Sequence, residues 1–207
     1  RLLVNYTRDH VYWLRNHPSI FVWVMGSDKL PRPELETKYD SLFKLIDPSR
    51  PVLKACKEQT SDISGKTAIK MRGPYEYVSP NYWYIDTLNG GAFGFNSETG
   101  PGTQVPSIEV LKSMIPEEKL WPVNDIWNFH CGRNEFQTIE RYLDAFNNRY
   151  GEQSNPVDFT FKSQASNLEA MRAMFEAFAI NRSKTTSIIQ WMYNSAWAKI
   201  LWPLWYS

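Results

Sequence analysis

Residues 20–28, Ile20-Phe21-Val22-Trp23-Val24-Met25-Gly26-Ser27-Asp28, decide how the chain is to be folded. A short apolar run, rich in β-branched and aromatic residues, predicts a strand buried on both faces, as in a parallel sheet. The glycine then releases the chain and leaves Asp28 just past the strand's C-terminal end. Upstream, Leu2, Leu3, Tyr6, His10, Trp13 and Leu14 recur at three- and four-residue spacing, which predicts an amphipathic helix ended by Asn16-His17-Pro18. Downstream, Pro33 to Ile46 predicts a second helix with Leu35, Leu42, Phe43 and Ile46 on one side, and Val52 to Ala55 a second strand.

Further along, residues 57–91 read as a long irregular stretch rich in Gly, Pro, Ser and Tyr, a length of loop that is usually functional. Ala92 to Asn96 predicts a strand, with Ser97-Glu98-Thr99-Gly100 at its end, and a helix runs from about Ser107 to Ile115. After a Trp- and Asn-bearing loop over 121–133, helices are expected over 135–149 and 156–182, the second turning Leu168, Met171, Phe175 and Phe178 inward. A last strand is expected from Ser187 to Tyr193. Strands alternating with helices mean an α/β fold with a parallel sheet. Periodicity leaves a doubly wound sheet and a (β/α)₈ barrel both open, although no glycine-rich phosphate loop follows any strand.

Composition narrows the chemistry. The 207 residues are 43% hydrophobic and 22% charged with a net charge of +1, which offers nucleic acid no electrostatic footprint. The longest apolar run is strand-sized, so no membrane span is expected, and no signal peptide is visible. Nine Trp, eleven Tyr and eleven Phe make 15% of the chain; flat rings suit sugar faces, and a Trp-rich core or interface is the alternative. The two cysteines, Cys56 and Cys131, form no framework. His10, His17 and His130 have no metal-ligand spacing, and no Gly-x-Ser-x-Gly elbow occurs. Neither a metal nor a cofactor is called for. Asn5-Tyr6-Thr7 and Asn181-Arg182-Ser183 match the short glycosylation pattern.

Asp28 and Glu98 are the candidate catalytic pair, because active sites of parallel barrels are built at the C-terminal ends of the strands. Taken singly, either carboxylate could merely cap the next helix. Together they suit glycosidic cleavage: one carboxyl, kept protonated, donates to the leaving oxygen while the other attacks the anomeric carbon.

Leu14-Arg15-Asn16-His17-Pro18-Ser19 followed by Gly26-Ser27-Asp28 resembles the acid/base strand of glycoside hydrolase family 2, and Phe95-Asn96-Ser97-Glu98-Thr99-Gly100 resembles its nucleophile strand. Residues 70–77 and 189–197 resemble segments of its exo-β-D-glucosaminidase branch. Most of the family has Asn-Glu where this chain has Ser27-Asp28, and the shorter Asp is the feature that resembles that branch. The resemblance implies Asp28 as acid/base, Glu98 as nucleophile, and removal of terminal glucosamine from chitosan-type oligosaccharides. A β-mannosidase or endo-β-mannosidase is the alternative within the family; a catalytically silent sugar-binding or structural fragment is the alternative outside it. It also implies that residues 1–207 form one region, a partial (β/α)₈ TIM barrel covering roughly strands four to eight. The first barrel strands and β-sandwich domains of a longer chain would then lie upstream, and the setting would be secreted or periplasmic. Trp191 and Trp197 stand where an aromatic platform under the sugar is expected, with core packing as the alternative. Asn194 stands where the expected role is a hydrogen bond to a sugar hydroxyl, with closing a turn as the alternative. Tyr75 and Tyr77 both stand where a family tyrosine hydrogen-bonds the nucleophile, and the sequence does not choose between them. Glu76 and Asp86, loop carboxylates, are candidate attractors of a glucosammonium group or else solvated charge.

Overall fold

The computed structural model describes residues 1–66, 69, 72–86, 91–132 and 138–206. Lys70 and Met71 of the segment singled out above, and the expected helix start at Glu135, lie outside them. The chain forms two compact units, Arg1–Met71 and Arg72–Ser207.

In the first unit α1 (Leu2–Leu14) leads to β1 (Trp23–Val24), α2 (Pro33–Ile46) and β2 (Val52–Leu53), with β1 and β2 paired in parallel. Helix α2 keeps its expected bounds. Proline opens it, Glu34 and Glu36 lie in its first turn and Lys44 in its last, all favourable to the helix dipole. Two expectations are corrected here. Leu2, Tyr6 and Trp13 are each more than half exposed, and Val11, with Val4 beside it, packs against Tyr39, Phe43 and Ile46 instead. At about 100° per residue, Val4 and Val11 share a face opposite Leu2, Tyr6 and Trp13, so one sequence carried two apolar faces. The first strand, in turn, is shorter than expected and one-sided in this unit. Trp23 and Met25 pack into the core while Val24 between them is exposed, the alternation that a pleat imposes; Phe21, ahead of the strand, is exposed as well.

Asp47, 4% exposed, ties these elements together. Its carboxylate accepts hydrogen bonds from Ser49 Oγ (2.7 Å), the Trp23 indole (2.9 Å) and Arg50 (2.6 Å). Arg50 also donates to the carbonyls of Ile20 (2.6 Å) and His17 (3.1 Å), and Arg15 donates to that of Ile46 (2.8 Å). The end of α2 is thereby fastened to the approach to β1.

The stretch expected to be irregular contains a small antiparallel hairpin, β3 (Thr60–Ser61) with β4 (Gly65–Lys66), turned at Gly65 with φ +79°. Ser61 Oγ (2.6 Å) and Ser64 Oγ donate to Glu36, whose buried carboxylate thus anchors the hairpin to α2. Elements this short leave too few residues for a period to register.

The second unit runs through α3 (Pro80–Ile85), β5 (Gly94–Thr99), α4 (Ile108–Met114), α5 (Asp125–His130), α6 (Thr138–Tyr150), α7 (Pro156–Ile180) and β6 (Thr185–Gln190). Strands β5 and β6 are parallel, so the fold is α/β. Helices α3 and α5 occupy stretches expected to be loops. The inner face of α7 is also corrected. Leu168 is 69% and Phe175 44% exposed, whereas Ala170, Ala173, Met174, Ala177 and Phe178 are buried. Small side chains let α3 approach closely enough to bury Trp83 completely against them. A second cluster gathers Trp127, Tyr142, Phe146 and Phe159 beneath α4, α5 and α6.

Burial pushes the Asp47 carboxyl up, but the bonds from Ser49, Trp23 and Arg50 outweigh it and hold its pKa near 2, below the ordinary 3.8. A depressed folded-state pKa contributes stability that is complete above pH 3.8 and lost as pH falls through about 2. Asp47→Ala is therefore expected to destabilise the protein by roughly 2–3 kcal/mol at neutral pH, because it strands the indole and guanidinium donors. The deficit should shrink toward pH 2 in denaturant titrations; a deficit independent of pH would contradict this account.

Candidate active site

Asp28 belongs to the first unit and Glu98, with the other candidates, to the second, so each is described in its own surroundings. Past β1 the chain turns tightly: a Cβ on Gly26 would sit 2.5 Å from the Lys29 carbonyl oxygen. The carbonyls of Gly26 and Ser27 accept from Cys56 N (3.1 and 3.0 Å), which fixes the turn to the end of β2. Asp28 is exposed there. Its carboxylate accepts from Ser27 Oγ (3.1 Å) and its carbonyl from the Gln59 amide (2.7 Å). It does not cap α2, whose N-cap is Arg32.

Glu98 lies inside β5 rather than beyond it, because the strand runs from Gly94 to Thr99 and not from Ala92 to Asn96. It does not cap α4, where Ser107 accepts from Val110 N. The fully buried Asn96 holds the strand's end: its amide donates to the Arg72 carbonyl (3.0 Å), and its Oδ1 accepts from Glu98 N (3.4 Å). On one side Gly100 N and Thr99 Oγ1 both donate to the Pro74 carbonyl (3.1 and 3.3 Å). On the other, Trp191 N donates to the Thr99 carbonyl (2.8 Å). Main chains meet almost without side chains between them. A Cβ on Gly73 would lie 2.0 Å from Thr99 Oγ1, one on Gly100 2.9 Å from the Trp191 carbonyl, and one on Gly102 2.4 Å from the Glu76 carbonyl carbon.

Beside this junction stands an aromatic row that sequence reading identified only in part. Trp191 meets Trp202 edge-on (centroids 6.3 Å apart), and Trp202 meets Tyr75 edge-on (6.1 Å). Trp202 is the pivot. It adopts φ +76°, a left-handed conformation costly for a bulky residue, of the kind that gathers at functional sites. Its indole donates to the Tyr75 carbonyl (2.6 Å) and its N–H to Gly102 O (3.1 Å), while its carbonyl accepts from the Gln190 amide (3.3 Å). Nothing in local sequence marked Trp202; only pairings across the fold define it. Asn96, by contrast, lies within the stretch quoted around Glu98.

The remaining candidates separate. Tyr77 leaves the row and packs edge-on against Tyr142 in the core (5.5 Å). Trp197, 42% exposed, rests on Phe129 (5.3 Å) and His130 (5.8 Å). The Lys199 ammonium lies over both Trp197 (5.4 Å) and Trp202 (5.1 Å), a cation–π bridge between the two groups. Asn194 is exposed in the segment after β6. Glu76 pairs with Arg141, and Asp86 accepts from the Tyr82 hydroxyl (2.6 Å), so both loop carboxylates are engaged within the unit. His130 is buried and its Nδ1 lies 2.6 Å from the Ala198 carbonyl, a structural role. Cys56 and Cys131 are not joined by a disulfide. Among the described residues no cluster of His, Cys, Asp and Glu could hold a metal, and no helix is long and apolar enough to cross a membrane.

No protein-family model matches the chain. In sequence it is 38% identical over 199 residues to the exo-β-D-glucosaminidase of Streptomyces avermitilis, covering 92% of this chain and 22% of that protein. In structure it superposes on the exo-chitosanase CsxA of Amycolatopsis orientalis with a TM-score of 0.82 and 34% identity, over 95% of this chain and 24% of that one. The β-D-mannosidase of Dictyoglomus thermophilum, at 19% identity and a TM-score of 0.72, shares the fold. The chain thus spans 22–24% of the length of the relatives it matches.

The close approach at Gly73 makes a direct demand on stability. Gly73→Ala is expected to cost about 1–3 kcal/mol by overpacking, since Thr99 is fixed on both sides and cannot withdraw. An unchanged melting temperature in calorimetry would show that the strand end is not held as described.

Proposed function

We propose that this chain, a relative of the exo-β-D-glucosaminidases of glycoside hydrolase family 2, carries the two catalytic carboxylates of a retaining glycosidase that releases terminal β-linked glucosamine from chitosan-type oligosaccharides. The parallel pairs β1–β2 and β5–β6 are read as strands four with five and seven with eight of a (β/α)₈ barrel. That assignment puts Asp28 and Glu98 on the C-terminal rim, where barrel enzymes do their chemistry. The other strands and further β-rich domains belong to the same proposal, as does action outside the cytoplasm, where a polymeric substrate is met.

The observation that carries the reading is the setting of Glu98: a carboxylate at the end of a parallel strand, its backbone clamped on both edges, beside the Trp191–Trp202–Tyr75 row. In the first step Glu98 attacks the anomeric carbon from the α face while Asp28 gives its proton to the departing oxygen. The electrons of the broken C–O bond leave with the aglycone, and an α-linked glycosyl ester remains on Glu98. In the second step Asp28, now a carboxylate, takes a proton from water, which attacks from the β face, releases Glu98 and yields glucosamine with retained configuration. This sequence requires the two carboxyls about 5–5.5 Å apart. Each charge raises the proton affinity of the other, so the pair divides into one acid and one nucleophile. Trp191 and Trp202 would offer apolar surface to the sugar, and Tyr75, which shares the row with them while Tyr77 packs in the core, is taken as the tyrosine that supports the nucleophile. Trp197 and Asn194, exposed after β6, would meet the sugar or its leaving group. No metal or cofactor enters either step.

Azide separates the two roles. With an aryl β-glucosaminide, Glu98→Ala in the intact enzyme should lose several orders of magnitude in kcat, and azide should restore turnover as the α-glycosyl azide. Asp28→Ala should yield the β-azide instead. Aryl β-mannosides should remain poor substrates throughout. Activity that survives Glu98→Ala without azide, or azide products of the opposite configurations, would overturn the assignment.

A further inference from the structure

Among the described residues the Asp28 carboxylate joins no ion pair and accepts only from the hydroxyl of its own neighbour, Ser27 (3.1 Å). No side chain from elsewhere in the first unit aims the group, so its direction is inherited from the main chain. An aspartate depends on this strongly, because its carboxyl is separated from the backbone by one rotatable bond fewer than that of a glutamate.

The main chain of this turn is bound along its length by the segment that follows β2. The carbonyls of Gly26 and Ser27 take backbone donors: Cys56 N at 3.1 and 3.0 Å and, for Ser27, Lys57 N at 3.4 Å as well. At Asp28 the donor changes. Its carbonyl accepts from a side chain, the Gln59 amide, at 2.7 Å, shorter than any of the backbone bonds before it. Gln59 is itself placed from behind. The next residue, Thr60, opens β3, which pairs Thr60 with Lys66 and Ser61 with Gly65. Ser61 Oγ accepts from Ile63 N (3.0 Å) and donates to the buried Glu36 of α2 (2.6 Å), to which Ser64 Oγ also donates. A run of bonds thus leads from α2 through the hairpin and Gln59 to the peptide that carries Asp28.

We propose that Gln59 is a positioning residue for Asp28: its amide fixes the Asp28 carbonyl, and through the main chain the carboxyl, in the orientation that proton transfer needs. The inference rests on the reading of Asp28 as the acid/base. Gln59 is half-buried and its bond lies at the surface, so water replaces the amide when it is lost and stability changes little. Water satisfies the carbonyl without tying it to the hairpin. The turn then keeps its fold but loses the contact nearest the carboxyl. Both steps of the reaction pass a proton through Asp28, to the departing oxygen and then from water, so both feel the loss, whereas attack by Glu98 does not.

Leaving-group dependence in the intact enzyme tests this, because a departing oxygen that needs no proton is indifferent to the acid. Gln59→Met has a side chain of similar length that cannot donate. Its kcat/KM should fall about tenfold on phenyl β-glucosaminide and stay within about twofold on the 2,4-dinitrophenyl glycoside, with the melting temperature unchanged. On the dinitrophenyl glycoside kcat should fall, since water now attacks the glycosyl ester with a misplaced base, and azide, which needs no base, should restore it. A loss of kcat/KM equal on the two glycosides, or none on the phenyl glycoside, would refute the proposal. Asp28→Ala on the same pair separates this inference from the reading beneath it. If Asp28→Ala loses kcat/KM on the phenyl glycoside alone and Gln59→Met does not, only the role of Gln59 falls. If Asp28→Ala loses equally on both, Asp28 is not the acid and the role of Gln59 falls with it.

Discussion

The end of β5 is held by backbone hydrogen bonds on both edges, and the site in the second unit depends on that clamp. Pro74 supplies a carbonyl to Gly100 N and Thr99 Oγ1, and Thr99 supplies one to Trp191 N. A carboxylate on a freely moving strand end would spend its binding interactions on becoming ordered. Here the backbone under Glu98 is ordered by the fold itself, which is the preorganisation that the nucleophilic role proposed for it would require. The aromatic row inherits the same order, because Trp191 leaves β6 at the clamp and Trp202 is fastened to Gly102 and Tyr75.

In the first unit a charge performs the equivalent task. Asp47 collects an indole, a hydroxyl and a guanidinium, and Arg50 passes the constraint on to the carbonyls of His17 and Ile20. That buried ion pair is tolerated because its partners satisfy both ions; alone, either would be a heavy penalty. The turn bearing Asp28 then depends on main-chain bonds from Cys56 and on a glycine at position 26. Glu98 is therefore placed by a backbone clamp and Asp28 by a turn bonded to the segment after β2.

Much of this was readable in advance, for physical reasons that differ between elements. Helix α2 is bounded by Pro33 and by Asp47-Pro48, so its ends are written in residues that cannot continue a helix, and both were found. Helix α7 was legible in extent and half in orientation: Met171 and Phe178 turn inward as expected, but part of its buried face is alanine, which carries little hydrophobic signal, while Leu168 and Phe175 carry much and point outward. The hairpin β3–β4 and helices α3 and α5 span too few residues for a period to emerge. The positions of Asp28 and Glu98 relative to strands were legible because each strand's apolar run is local. That of Trp202 was not, since its role arises from partners as distant along the chain as Tyr75. The different neighbours of Tyr75 and Tyr77, two residues apart in a loop, likewise emerge only from the fold.

The glycines at 73, 100 and 102 have a consequence for how such a site can change over generations. Its floor sets Gly100 and Gly102 against neighbouring peptide backbone and Gly73 against the Thr99 side chain, with no room for even a methyl group at any of the three positions. Heritable variation is thereby steered away from the floor and toward the rim, where Trp197, Asn194 and Lys199 can be exchanged without lifting the strand. On the proposed reading, a lineage built on this plan can try new sugars while keeping its chemistry in place, because the rim and the strand that carries Glu98 are different atoms.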